Sequence, residues 1–471
     1  MSDKLNKKYG LPTAICMVVG IVIGSGVFFK AEKILTETGG NLPLGILAWV
    51  IGGIVMVSCA YAFSILATKH EKINGILDYA EALVGKKYSF VIGWFLAILY
   101  YPTLTSVLAW VSARYICVLF GWSISGGECL ALSGFLLIAS FALNSLAPVI
   151  SGKFQISTTV IKLIPLFLMA VGGTIKGLSD GMLVQNFTTV VVEDVNSAGA
   201  LFKAVVATCF AYEGWIVATS INSELKDAKK NLPRALIIGT VAVVTIYIIY
   251  YIGLAGGITN SEMMAGGEAG AKIAFSAVFS NFAGTLLFIF VVISCLGTLN
   301  GLMLGCTRAM YSCAMHGDYK SVKMFKHVDP STNMPSNSSI FGLFICGCWL
   351  LFFYGSVITT LDGNAPWFGK FSFDSSELPI VTTYAMYLPI FIAMIKKEKD
   401  LGFFKGKIAP VLAIISSLVM VGSAIYAHGI APYLTAKAKG EFDFPVLFYL
   451  IVYAVIMLVG LMIMKKSKKK S

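Results

Sequence analysis

The sequence predicts an all-α polytopic membrane protein with twelve transmembrane helices, and three observations carry that prediction. Only 13% of the 471 residues are charged, against roughly a quarter in a soluble domain. Apolar blocks of about twenty residues recur from end to end, each long enough to cross a hydrocarbon core about 30 Å thick. Lysine and arginine gather in alternate loops, the bias that orients membrane helices. Basic loops on one side also account for the net charge of +12, so nucleic acid is not an expected partner and the lipid bilayer is.

In chain order, spans are expected at 11–36, 43–67, 88–118, 129–149, 156–176, 201–220, 235–257, 280–316, 338–356, 378–396, 408–428 and 443–464. The first follows Lys4, Lys7 and Lys8 and is broken near its middle. The second is followed by a loop holding Lys69, Lys72, Lys86 and Lys87. The third and eighth exceed a straight crossing, which implies tilt or extension beyond the bilayer. The fifth encloses one cation, Lys162. The sixth is broken at Glu213-Gly214 and leads into Lys226, Lys229, Lys230 and Arg234. Lys320, Lys323 and Lys326 follow the eighth, Lys396, Lys397, Lys399, Lys405 and Lys407 follow the tenth, and residues 465–470 form a basic tail. The opposite loops are poor in cations and include Asp180, Glu193, Asp194, Glu262, Glu268, Asp362 and Asp374. Both termini are therefore expected on the cytoplasmic side of a cell membrane. No cleavable leader, linker or soluble module is expected, and residues 1–471 read as one transmembrane domain.

Enzyme and metal chemistry find no support. Cys16, Cys59, Cys209, Cys295, Cys306, Cys346 and Cys348 lie in apolar segments without CxxC pairs or histidine partners, which suits packing. Cys117 and Cys129 flank a short outer loop, where a disulfide is an open alternative. His70, His316, His327 and His428 fall in loops or at span ends and suggest no metal site. Carboxylates are too scattered for a catalytic dyad, and no GxSxG elbow occurs.

The two breaks are the informative feature. Residues 17–29 (MVVGIVIGSGVFF) are apolar enough for lipid, yet Gly24-Ser25-Gly26 interrupts them. An unpaired backbone group in hydrocarbon costs several kcal/mol, so a helix is broken there only if something rewards it. The usual reward is a polar ligand held at the midplane of a transporter. The sixth span repeats the feature in Phe210-Ala211-Tyr212-Glu213-Gly214-Trp215. Spans 1 and 6 correspond if residues about 11–176 and 201–396 form an inverted repeat, with two further helices at about 408–464.

At these residues the chain resembles the L-type amino acid transporter family of the amino acid–polyamine–organocation superfamily, especially its bacterial serine/threonine-exchanger-like members. The likeness rests on residues 20–28 (GIVIGSGVF), and on Gln155 with Thr158, Thr159, Lys162, Leu163, Ile164 and Pro165. It continues in residues 210–215, Glu224 and Asn231-Leu232-Pro233-Arg234-Ala235, then in Leu299-Asn300-Gly301, Arg308 and His316-Gly317. Two positions depart from the family: Glu213 stands where glycine, alanine or aspartate also occur, and Ile216 where a polar residue is common.

The resemblance implies a LeuT-like fold of five-plus-five inverted repeats and two extra helices. It implies a sodium-independent exchanger of small neutral amino acids working by alternating access, with no cofactor. An amino acid carries a carboxylate and an ammonium on one carbon, and a broken helix offers both partners. Amides of Ser25 and Gly26 would take the carboxylate, and carbonyls of Val22, Ile23, Phe210 and Ala211 the ammonium. Gly24 and Gly26 permit close approach, and Tyr212, Glu213 and Tyr100 complete the candidate site. Tyr100 and its neighbour Tyr101 either wall the pocket or pack. Phe210 and Trp215 are the candidate gate. In sodium-independent relatives a fifth-helix lysine replaces the ion, which gives Lys162 that role beside the Gly20 and Ile23 carbonyls; a lysine that snorkels to the cytoplasmic face is the alternative. Glu213 has three open readings: a partner for a cationic substrate, a proton acceptor, or a cap for the unwound backbone. These keep a proton-coupled symporter and a cationic amino acid exchanger in play, with a channel or a non-transporting receptor as rivals of another class. Animal relatives pair with a glycoprotein through a cysteine after the third helix. Cys129 is poorly placed for that, so no heavy subunit is expected.

Overall fold

The computed structural model describes residues 6–24, 26–70, 74–193, 196–316, 320–440 and 442–468. Lys4, Ser25, Lys72, Asp194, Gly317 and the last lysines of the tail lie outside the described residues. Among the described residues every regular element is helical, and strand-like pairing is confined to a bridge between Tyr9 and Leu225. Eleven helices are long and apolar enough to cross a membrane. The first expected span is instead two twelve-residue helices, Leu11–Val22 and Gly26–Glu37. At 1.5 Å per residue neither crosses a 30 Å core alone.

Burial separates the centre of the bundle from its rim. The sixth span, Ser197–Glu224, is buried over 94% of its most apolar stretch and the third, Lys86–Phe120, over 89%, whereas the twelfth, Pro445–Lys465, is buried over only 17%. The broken sixth span therefore lies inside protein, where irregular backbone is tolerated, and the twelfth faces lipid.

Several boundaries shift where hydropathy is a poor guide. The fifth span starts at Pro148 rather than 156 and runs to Ser179. Its early turns carry Ser151 and Gln155, which are buried against other helices and never meet lipid. Pro148 opens that helix at a position where its missing N–H costs nothing. The eleventh span continues past 428, through a π turn at Tyr426–Ile430, to Ala438. Short helices at Gly75–Leu83, Met182–Thr188, Asn260–Gly266 and Gly270–Val278 occupy connections for which no helix was expected. They are too short to span and leave no hydropathy signal.

The third span contains one π turn, Leu96–Tyr100, immediately before Tyr101-Pro102. Proline lacks an N–H and crowds the carbonyl four residues back, here that of Ile98. That carbonyl accepts from the indole of Trp349 at 2.7 Å instead. The widened turn ends on Tyr100, beside the break in the sixth span.

Candidate functional site

The two breaks face each other across a cavity of about 30 Å³. Val22, Gly24 and Gly26 line it from the first span, Phe210, Glu213 and Gly214 from the sixth. Leu104 and Leu108 of the third span and Thr298 and Leu302 of the eighth complete it. The lining is mostly apolar, with Glu213 and Thr298 as its polar side chains.

Glycine at three of these positions follows from contact and conformation. A Cβ on Gly26 would stand 2.9 Å from the Ala211 Cα, and one on Gly24 would stand 3.0 Å from the Thr298 hydroxyl. Gly214 has φ of +107°, a conformation that L side chains rarely adopt. It ends the α-helical half Ser197–Ala211 and starts the 3₁₀ half Trp215–Glu224.

Lys162 is fully buried and its ammonium donates to the carbonyls of Gly20 at 2.7 Å and Ile23 at 2.5 Å. It also reaches the Ser294 carbonyl at 3.1 Å and the Thr298 hydroxyl at 3.3 Å. Ser294 and Thr298 hydroxyls donate to the Ile23 carbonyl as well, each at 3.2 Å. One cation thus joins the fifth, first and eighth spans at the carbonyl end of the broken helix, where the dipole favours positive charge. The lysine does not reach the exposed surface of the bundle. Ile23, named above as an ammonium ligand, spends its carbonyl on this cluster.

The carbonyls of Val22 and Ala211 do converge. The hydroxyl of Tyr247, on the seventh span Ala228–Ala255, lies 2.9 Å from one and 3.0 Å from the other. Nothing in the sequence marked Tyr247 among its neighbours Tyr250 and Tyr251. The Phe210 carbonyl receives the Glu213 amide at 3.4 Å.

The remaining named residues divide. Glu213 lines the cavity and accepts a hydrogen bond from the Tyr100 hydroxyl, so Tyr100 holds the carboxylate from behind. Phe210 lines the cavity with its ring 5.2 Å from the Lys30 ammonium. Tyr212 and Trp215 do not line this cavity. The Tyr212 hydroxyl donates to the Trp49 carbonyl at 3.0 Å and its ring stacks on Tyr247 at 5.2 Å, outside the cavity. Trp215 is fully buried between Phe63 and Tyr387, behind the wall. The helix turns through the break, so neighbours in sequence point in different directions. Cys117 and Cys129 are buried free thiols, not a disulfide.

Toward the N-terminal end the bundle is closed by a second polar set. Arg308 of the eighth span and Glu224 form a fully buried pair, and Lys8 joins the same carboxylate at 2.7 Å. Backbone amides of Lys8 and Tyr9 donate to the Glu224 carbonyl at 2.9 and 3.0 Å, and that of Lys226 donates to Tyr9 at 2.8 Å. Burial pulls the Lys8 ammonium down from its usual range, against the attraction of Glu224. His316 meets Asp78 at 2.6 Å nearby.

Comparison with known proteins agrees with this architecture. The amino acid permease family matches residues 9–470. The chain belongs to that family. The permease is 28% identical to the serine/threonine exchanger SteT of Bacillus subtilis, over 89% of this chain and 92% of that one. It is 27% identical to the large neutral amino acids transporter small subunit 2 of mouse, over 76% of this chain and 66% of that one. It is 25% identical to the mouse b(0,+)-type amino acid transporter 1, over 84% and 82%. This permease is thus a multi-pass membrane protein that transports amino acids, and not an enzyme.

Proposed function

We propose that this permease is a sodium-independent exchanger of small neutral L-amino acids such as alanine, serine, threonine and cysteine. The observation that carries the reading is Lys162, whose ammonium already neutralises the Gly20 and Ile23 carbonyls. With a fixed cation there, the closed broken helix needs no sodium ion. The substrate ammonium would join Tyr247 at the Val22 and Ala211 carbonyls, and the carboxylate would meet the first-turn amides at Gly26, which lack intrahelical acceptors. Ile21, Leu104, Leu108 and Leu302 crowd the remaining volume, which favours small side chains. The printed function of the Bacillus subtilis relative points the same way.

In this reading the paired helices 11–22 and 26–37 complete a twelfth crossing. Residues about 11–176 and 201–396 act as inverted repeats, with both termini in the cytoplasm of a cell whose plasma membrane holds the protein. Cys129 is buried, which favours a chain working without a disulfide-linked heavy subunit.

The test is radiolabelled serine or alanine uptake into proteoliposomes of the pure protein, preloaded or empty, with and without sodium or a proton gradient. Exchange predicts uptake only into loaded vesicles, indifferent to both ions. Uptake into empty vesicles that rises with an inward proton gradient would replace exchange with symport. Glu213 supports that second reading, being a carboxylate buried at the cavity. If it applies, Glu213→Gln abolishes the gradient effect.

A further inference from the structure

At the end of the bundle away from the N-terminus, one carboxylate gathers two lysines and a histidine from two helices. Glu377 immediately precedes the tenth span, Leu378–Lys397, and is buried. Its Oε1 accepts from the Lys30 ammonium at 2.6 Å, and Lys33 lies 3.6 Å from the same atom. Its Oε2 meets the His428 imidazole, on the eleventh span, at 2.9 Å. Burial pushes the Glu377 carboxyl up, but Lys30, Lys33 and His428 outweigh it and hold the group well below the usual carboxylate range. The carboxylate is therefore charged in the closed protein.

Position gives the cluster its meaning. Lys30 is one helical turn beyond Gly26, about 6 Å farther along the axis. Its ammonium sits over the Phe210 ring at 5.2 Å, and Phe210 lines the cavity between the breaks. From the cavity outward the layers are Gly26, Phe210, Lys30 and Glu377. The first, sixth, tenth and eleventh spans are all tied at this level, and they must separate for a path to open on that side.

We propose that Glu377 is the positioning residue of an outer latch, which holds Phe210 closed through Lys30 and is braced by His428 from outside the two repeats. This rests on the transport cycle proposed above. The His428 imidazole meets Oε2 without displacing Lys30 from Oε1, so the eleventh span braces the carboxylate while the first span holds it. The other charged or titratable groups around His428 are few. Lys30 and Lys33 share its carboxylate, Asp374 acts on Lys33, and Lys203 of the sixth span pairs with Glu37 at 3.8 Å. Tyr426 lies on the same π turn, Tyr433 and Lys437 follow along that helix, and from the twelfth span Tyr449 is turned to Thr382.

The experiment compares the full-length protein with Glu377→Gln by hydrogen exchange in lipid nanodiscs, and by serine uptake into intact cells. The latch predicts faster exchange in Gly26–Glu37 and an outer KM lowered by about threefold or more, because the open state is more populated. It also predicts that His428→Gln, which removes the brace on Oε2, speeds exchange in Gly26–Glu37 as well. Wild-type exchange and wild-type outer KM in Glu377→Gln would overturn the latch. So would lower thermal stability with no change in outer KM, or wild-type exchange in His428→Gln. Should Glu377→Gln fail to fold, Lys30→Gln is read by the same criteria, and the swap of Lys30→Glu with Glu377→Lys is expected to restore protection. Absence of serine flux in wild type would remove the substrate reading, while the hydrogen-exchange comparison would still decide the latch.

Discussion

The Tyr247 hydroxyl lies 2.9 Å from the Val22 carbonyl, and the same oxygen lies 3.0 Å from Ala211. One phenol on an unbroken helix therefore measures the gap between two broken ones. Its ring is fixed at 5.3 Å from Trp49 and 5.2 Å from Tyr212, so the hydroxyl has little freedom.

Tyr247→Phe keeps the ring and removes the hydroxyl that faces both carbonyls, while the Val22 carbonyl keeps the Gly24 amide at 2.8 Å. A hydrogen bond contributes about 0.5–1.5 kcal/mol net, which corresponds to a KM raised about 3- to 10-fold. Maximal rate and thermal stability are expected to stay near wild type, and concentration-dependent uptake measures the split. A wild-type KM would show that the hydroxyl does not read the substrate or order its carbonyls.

Lys162→Met leaves the Gly20 and Ile23 carbonyls with only the Ser294 and Thr298 hydroxyls. Charge-assisted bonds contribute about 1.5–3 kcal/mol each, so exchange is expected to fall at least about 10-fold. Arginine should not rescue it, because its planar fork does not fit a site shaped around a compact ammonium. Uptake measured with and without sodium adds a second readout. Activity restored by sodium would mean that an ion can enter the vacated place.

Gly26→Ala sets a methyl 2.9 Å from the Ala211 Cα, a backbone atom that cannot rotate away. Overpacking of this kind costs about 1–3 kcal/mol, concentrated where the two breaks meet. Size-exclusion profiles should remain those of folded protein while uptake drops by about 10-fold or more. Unimpaired uptake would show that the breaks need not approach this closely.

Glu224→Gln strips the charge that Arg308 and Lys8 share. Removing one partner of a buried ion pair costs about 3–5 kcal/mol because the other charge stays buried. A clear fall in melting temperature is expected, and adding Arg308→Met should recover part of it. If the double variant melts no higher than the single one, the pair is not the unit described.

Legibility in the sequence followed physical contrast. Gly24-Ser25-Gly26, Lys162 and Glu213-Gly214 are polar or flexible residues inside apolar runs, so hydropathy alone exposes them. Tyr247 does not stand out, because an aromatic in an apolar helix looks the same whether it packs or donates. Tyr212 and Trp215 stay out of the cavity lining for another reason. Adjacency to a break fixes depth but not direction, and the backbone turn through Gly214, at φ +107°, sends them outside the cavity. Glu377 precedes a helix and His428 falls at the expected end of a span, places where charges are ordinary, and only the fold brings them to one point. The Bacillus subtilis likeness supports the family without setting any of these directions.

The pairing of Lys8 and Tyr9 with Glu224 and Lys226 has a practical consequence. Whatever is fused ahead of residue 8 by genetic engineering hangs from this clasp itself, whereas the far end of the chain leaves from a helix that mostly faces lipid. A purification tag or fluorescent reporter at the beginning would load the clasp and bias which conformer is captured, and the same label at the end would travel with the rim as a bystander.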